Sequence, residues 1–321
     1  MDIFRFLGAG NFLTGPPASG NVAPMPDPRI ADLLAAARRP LLSFEFFPPK
    51  DEAAMAALQH TSTQLAALRP DFVTCTYGAG GSTRQRTLQV CEILRAEGLA
   101  PVMPHLTCVG SSRTELNELA DELHGRGYRN IMTLRGDPPK GDTTFRPAAD
   151  GLAHASELVQ LLKARHADFC CGVACYPETH PEADSPEADL RHFAHKISTG
   201  GDFGTTQLFF DNTVYFQFVT ACRAAGVTKP ILPGLLPAIS LKQVQRMCAM
   251  CKTYLPPELA RQLEAAGGDG EAAELVGIRW AEAQIEGLLA AGVPGIHLYI
   301  LNRAKAALSD ELVRFFAHRP A

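Results

Sequence analysis

The chain has 321 residues, 46% of them hydrophobic, which is enough to bury a large core in one or two domains. Its net charge of −4, from 30 basic and 34 acidic residues, offers no basic surplus for nucleic acid or an anionic membrane surface. No run of about 18 apolar residues appears, which argues against a membrane span.

Residues 1–39 read as an N-terminal arm. The stretch from Gly8 to Pro28 is rich in Gly and Pro, which predicts a poorly ordered tail or a segment that docks on a neighbouring subunit. It lacks the basic start and continuous apolar stretch of a secretory signal.

From residue 41 a beat sets in, with short apolar or β-branched runs followed by amphipathic stretches. Strands are predicted at 41–47, 71–76, 101–107, 130–134, 169–175, 205–209, 231–235 and 295–300. Helices are predicted between them, at 51–68, 83–97, 113–125, 152–165, 187–198 and 214–224. Residues 240–291 hold extra helices before the last strand, interrupted by Gly267-Gly268-Asp269-Gly270. Strand–helix alternation favours a parallel sheet, and eight units favour a closed (β/α)8 TIM barrel over residues 40–321 rather than an open doubly wound sheet.

Nine cysteines, an odd number with no regular framework, fit a reducing cytoplasm better than a disulfide scaffold. Cys170, Cys171 and Cys175 fall in or beside a strand and read as core. Cys248-Ala-Met-Cys251 is a lone pair with no partner at zinc spacing, so no metal is expected from it.

In such barrels reacting groups sit at the C-terminal ends of strands. On the first strand Ser43, Glu45 and Phe47 share one face and Phe44 and Phe46 the other. Glu45 then points into the mouth, where an apolar wall would disfavour the charged form and suit a general acid; a partner Arg or Lys would make it structural instead. After the second strand comes Thr76-Tyr77-Gly78-Ala79-Gly80-Gly81, whose spacing is not that of a Rossmann loop. His105 ends the third strand, as a ligand contact or a core histidine. Arg135 and Asp137 bracket Gly136 after the fourth, where backbone can approach a ligand closely, or the two make a local ion pair. The fifth leads through Tyr176 and His180 to a helix whose Asp189, His192 and Lys196 share a face, either on a pyrophosphate or in solvent. Gln207 lies on the sixth, and Arg303 follows the eighth, where it could hold a carboxylate or an aromatic ring.

Taken in order, the strings SFEFFPPK (43–50), FVTCTYGAGGSTRQRT (72–87), PHLTC (104–108), LRGDPP (134–139), YPETHPEA (176–183), TTQLFFD (205–211), ILPGLLP (231–237) and LNRA (301–304) resemble methylenetetrahydrofolate reductase. The resemblance implies a barrel with noncovalent FAD and ping-pong reduction of 5,10-methylenetetrahydrofolate to 5-methyltetrahydrofolate by NADH or NADPH. NADH is favoured by similarity to bacterial relatives. It implies Glu45 as the acid that assists opening of the bridging five-membered ring, with Asp137 near flavin and folate. Gln207 and Arg303 would contact folate. Thr76, Tyr77, His105, Leu134, Arg135, Gly136, His154, Ala155, Tyr176, His180, Asp189, His192 and Lys196 would contact FAD. The chain ends soon after the eighth strand, as in the bacterial, barrel-only type, which implies a cytoplasmic homo-oligomer supplying methyl groups for methionine.

The sequence departs from that pattern at Leu241, Leu298 and Ile300, where relatives often carry aromatic residues or a Thr, and at His154 and His192, which stand near a Tyr and an Asn of the family. The competing readings are a barrel that draws electrons from another donor, and a folate- or flavin-binding barrel without turnover.

Overall fold

A computed structural model describes residues 25–77, 84–138, 144–307 and 309. Its strands are β1 (Leu41–Phe46), β2 (Phe72–Cys75), β3 (Val102–Thr107), β4 (Asn130–Leu134), β5 (Cys170–Cys175), β6 (Phe203–Thr206), β7 (Ile231–Leu232), β8 (Gly234–Leu235) and β9 (Gly295–Tyr299). All pairings are parallel, in the order β7-β6-β5-β4-β3-β2-β1-β9-β8. The two end strands are halves of one strand, broken at Pro233. Proline has no N–H to give a ladder, but its carbonyl accepts from His297 N at 3.0 Å. One half pairs with β6 and the other with β9, so the sheet closes into an eight-stranded (β/α)8 barrel.

The helices α2 (Glu52–Ala66), α3 (Arg84–Ala96), α4 (Arg113–Gly125), α5 (Ala155–Arg165), α6 (Pro186–Ser198) and α7 (Asn212–Ala224) follow the strands in turn. Side-chain oxygens of Asp51, Ser112, Ser185 and Asp211 accept from first-turn amides, which fixes where the chain leaves a strand end and turns down the outside. Phe44 and Phe46 point outward into the core beneath Leu58 and Leu65 of α2. Phe72, Met103, Met132, Phe203 and Leu232 point inward and fill the lower barrel.

A short helix, α1 (Ile30–Ala36), lies within the segment expected to be a loose arm, where the sequence pattern does not reveal it. It joins the lower layer: Ile30 is fully buried against it, and Ile30 N donates to Asn130 Oδ1 at 2.7 Å. Asn130 Nδ2 returns a bond to Pro28 O. Residues 1–24 lie outside the described residues.

The sixth strand ends at Thr206, not 209. Leu208 and Phe209, read as strand, and Phe210 after them pack under the extra helices α8 (Leu241–Cys251), α9 (Pro257–Ala265) and α10 (Gly270–Ala290). Their carbonyls accept from Thr253 Oγ1, Gln284 Nε2 and Trp280 Nε1 instead of from a neighbouring strand. The Gly-rich break falls between α9 and α10 as expected, with Asp269 capping α10. No described helix is long and apolar enough to cross a membrane. All nine cysteines are free thiols.

Candidate active site

Above the apolar floor the inward positions turn polar. Glu45 is 8% exposed, in register with Thr74 of β2 and Tyr299 of β9. Its Oε2 lies 3.4 Å from His105 Nε2 and 3.7 Å from His297 Nε2. Neither contact has hydrogen-bond alignment, so both buried imidazole nitrogens face the carboxylate without a partner. Ser43, one inward step below Glu45, holds His297 Nδ1 to its Oγ at 2.8 Å. No Arg or Lys pairs with Glu45 among the described residues. The wall around it is imidazole and phenol rather than purely apolar, because the facing inward positions are His105, His297 and Tyr299. Tyr299 donates to Thr206 O at 2.6 Å, across the break in the seventh strand.

Burial holds His105 at a pKa of about 4; Glu45 pulls it up and His297 pushes it down. The unfolded imidazole takes its proton near 6.5. Between those values the unfolded chain carries a proton that the folded chain refuses. This contribution to stability is therefore full above pH 6.5 and falls as the pH drops toward 4. From pH 7 to 5 the wild type should lose about 2 kcal/mol through this site. Urea unfolding of His105→Asn should lack that part of the slope. Parallel pH dependences in the two proteins would show that His105 is not held neutral.

A second feature opens beside the mouth at the ends of β4 and β5. It is a groove of about 480 Å³. Thr133, Leu134 and Ala174 line it from the strands, His154, Ala155 and Ser156 from the start of α5, and Asp189, His192, His195 and Lys196 from α6. Arg135, Tyr176, His180, Glu182 and Ala183 complete the lining from the connecting loops. Lys196 Nζ donates to Ala174 O at 2.6 Å, and burial lowers its pKa against the pull of Cys175 and Asp189. Asp189 accepts from His180 N at 2.9 Å. His180 Nδ1 accepts from Glu182 N at 3.0 Å, which leaves Nε2 to carry the proton of the neutral ring. Arg135 forms a two-pronged pair with Glu182 at 2.6 and 2.9 Å. That pairing raises the Arg135 pKa and lowers that of Glu182.

Gly136, next to Arg135, adopts φ +87°. A Cβ there would stand 2.7 Å from Val109 Cγ1 and 3.0 Å from Thr107 Cβ, so only glycine lets the loop lie flat against the β3–α4 connection. Two cations, a helix N-terminus and a close-lying glycine loop suit an anionic, ring-bearing ligand such as a dinucleotide.

Of the residues expected at a cofactor, Leu134, Arg135, His154, Ala155, Tyr176, His180, Asp189, His192 and Lys196 line the groove. Thr76 follows β2 directly, with its N–H on Phe46 O at 2.9 Å, and Tyr77 comes next; His105 sits instead against Glu45. Gly78, Gly80 and Gly81 lie outside the described residues. Asp137 and Arg303 are exposed. Gln207 continues the β6 ladder by one bond, to Cys175 O at 2.8 Å, and its Oε1 accepts from Leu208 N.

Leu298 and Ile300 point away from the mouth into the barrel–helix core, 1% and 2% exposed, so these two departures do not line the site. Leu241 packs on the cluster under α8 and α9. Sequence reading placed Ser43 on the face of Glu45 without giving it a role, and missed His297 and Tyr299 in the mouth and Glu182 and His195 in the groove. Strand parity was the available signal for His297 and Tyr299, which flank the outward Leu298.

A family model described as methylenetetrahydrofolate reductase matches residues 29–310. The probable methylenetetrahydrofolate reductase (NADH) of Oryza sativa is 37% identical over 284 residues, covering 85% of this chain and 48% of the rice protein. The 5,10-methylenetetrahydrofolate reductase of Salmonella typhimurium is 38% identical over 264 residues, covering 82% of this chain and 87% of its own length. The chain thus spans about half the length of the plant relatives it matches. A solved structure of an uncharacterized protein from Clostridium thermocellum, described as binding two copies of 5-methyl-5,6,7,8-tetrahydrofolic acid, superposes with a TM-score of 0.63. It covers 88% of this chain and 99% of that one at 16% identity, a likeness of fold. The family match begins just before α1 and runs past β9, through both the mouth and the groove, and the chain belongs to the methylenetetrahydrofolate reductase family.

Proposed function

We propose that this chain reduces 5,10-methylenetetrahydrofolate to 5-methyltetrahydrofolate, with FAD held in the groove and NADH as the donor, donor and folate taking turns at one site. The observation that carries the reading is Glu45, a buried carboxyl at the mouth with no cationic Arg or Lys partner among the described residues and two imidazole nitrogens facing it. The relatives' names support the substrate, and those of the plant relatives support NADH. NADPH is the alternative donor. The product would serve as a methyl source for methionine synthesis.

Bound FAD would supply the carrier that accepts hydride from the nucleotide and passes it to the folate carbon. Arg135, Lys196 and the first turn of α5 would hold its phosphates, and Gly136 lets backbone lie close to it. Glu45 donates a proton to the bridging five-membered ring, which opens to a cationic iminium. Because His105 is neutral at pH 7, it does not tie up Glu45 in an ion pair. The exposed carboxylate of Asp137 stabilises that cation from the rim. Gln207 offers its amide to the folate ring, and Arg303 pairs with a folate carboxylate.

Anaerobic stopped-flow absorbance on the purified protein tests this. NADH should bleach the flavin and methylenetetrahydrofolate should restore it. Bleaching without restoration would leave a flavin reductase and remove the folate assignment. Absence of flavin, with no response to added FAD, would remove both. In the same assay Asp137→Asn should keep its FAD yet slow the restoring step about tenfold or more, the scale of taking one stabilising charge away from a transition state. An unchanged rate would take Asp137 out of the mechanism.

A further inference from the structure

We infer that Asn302 is a positioning residue that fixes the spacing between Glu45 and Arg303, and through it the affinity for folate; the inference rests on the function proposed above. β9 ends at Tyr299, and two residues later the chain turns sharply. Leu301 and Asn302 both adopt left-handed conformations, with φ of +50° and +56°. Such a conformation is costly for a side-chain-bearing residue, and two in succession persist only where the surroundings hold them.

The restraint here is the Asn302 side chain. Its Oδ1 accepts from Phe47 N at 2.9 Å and its Nδ2 donates to Phe47 O at 2.7 Å. The amide thus replaces a backbone unit and extends the β1–β9 pairing one step past the point where the β9 backbone has left it. On the other side, Asn302 O accepts from Thr61 Oγ1 of α2 at 3.2 Å.

Phe47 follows Glu45 by two residues and Arg303 is the residue after Asn302. Arg303 N donates to Ile300 O at 2.9 Å, so the turn hands its direction straight to Arg303. One side chain thus couples the proposed acid to the proposed carboxylate anchor. A ligand touching both would feel any slack in the clasp. The groove at β4 and β5 lies elsewhere on the ring and shares none of these bonds.

The test uses the FAD-loaded full chain and three variants, Asn302→Gly, Asn302→Ala and Asn302→Asp. Steady-state kinetics are run with NADH and methylenetetrahydrofolate, and with NADH and menadione. Binding of 5-methyltetrahydrofolate is measured by calorimetry, which needs no turnover. Glycine accepts the left-handed backbone without strain, so Asn302→Gly removes the clasp and not the turn. It should raise the folate KM and the calorimetric Kd about tenfold, the loss of roughly one net hydrogen bond's worth of positioning. The KM for NADH and the menadione rate should stay at wild-type values. Asn302→Asp keeps the acceptor toward Phe47 N and should fall between glycine and wild type. Asn302→Ala should match or exceed the glycine effect. Unchanged folate affinity in Asn302→Gly, or equal loss with both acceptors, would overturn the inference. Folate binding and turnover absent from the wild type would overturn the proposed function first, and this inference with it.

Discussion

Glu45→Gln should lose folate reduction by about a hundred- to ten-thousandfold, the usual worth of a general acid, while oxidising NADH with menadione at close to the wild-type rate. The substitution keeps shape and removes only the acidic proton. A glutamine amide can still face His105 and His297, so the mouth should not collapse. The two proposed half-reactions should separate because Glu45 and the groove draw on different strands. The proposed acid stands on β1, between β9 and β2, with its carboxylate facing His297 of β9 and His105 of β3, whereas the groove is built from β4, β5, α5 and α6. Hydride delivery from the nucleotide needs no proton from β1; opening a folate ring does. Rapid-reaction flavin absorbance reads each half alone. If both slow equally, Glu45 is a structural member of the mouth and the assignment of acid fails.

The second large effect is expected at Gly136. Gly136→Ala places a methyl group 2.7 Å from Val109 Cγ1 on a backbone already at φ +87°. The loop cannot retreat, because Arg135 O accepts from both Cys108 N and Val109 N, at 3.0 and 3.1 Å. The left-handed cost and the overlap together are on the order of 3 kcal/mol, which weakens FAD binding about a hundredfold if the loop must deform to avoid them. Flavin fluorescence titration measures the affinity, and thermal unfolding of the FAD-free protein shows whether the fold itself has suffered. Retention of wild-type FAD affinity would mean that the flat path of this loop has no part in cofactor binding.

Local signals carry the barrel. β4 and α4 fall on the predicted 130–134 and 113–125, because apolar alternation and the Ser112–Glu115 cap are written within a few residues. The misreading of Leu208 and Phe209 as strand has a tertiary cause. An apolar run looks the same whether a strand or three later helices cover it, and Thr253, Trp280 and Gln284 are more than forty residues away. The site divides in the same way. Arg135, Tyr176, His180, Asp189 and Lys196 lie on consecutive units and are legible together. His297 is not, because its meaning lies in closure: Ser43 and His297 are 254 positions apart and meet only when the last strand joins the first. α1 is masked by composition, since seven residues beside a Pro- and Gly-rich stretch give little periodicity to read.

That helix has a consequence for traffic. With Ile30 stacked on Phe72, Met103, Met132, Phe203 and Leu232, the lower end of the barrel is stoppered by hydrocarbon, and protons cross such material poorly. Among the described residues that end is closed, and the mouth at the other end is where Glu45 stands. On the proposed mechanism, whatever recharges Glu45 would come through the same door as its substrate, in the time that door stands empty. The interval between one passenger leaving and the next arriving would then become a working part of the cycle.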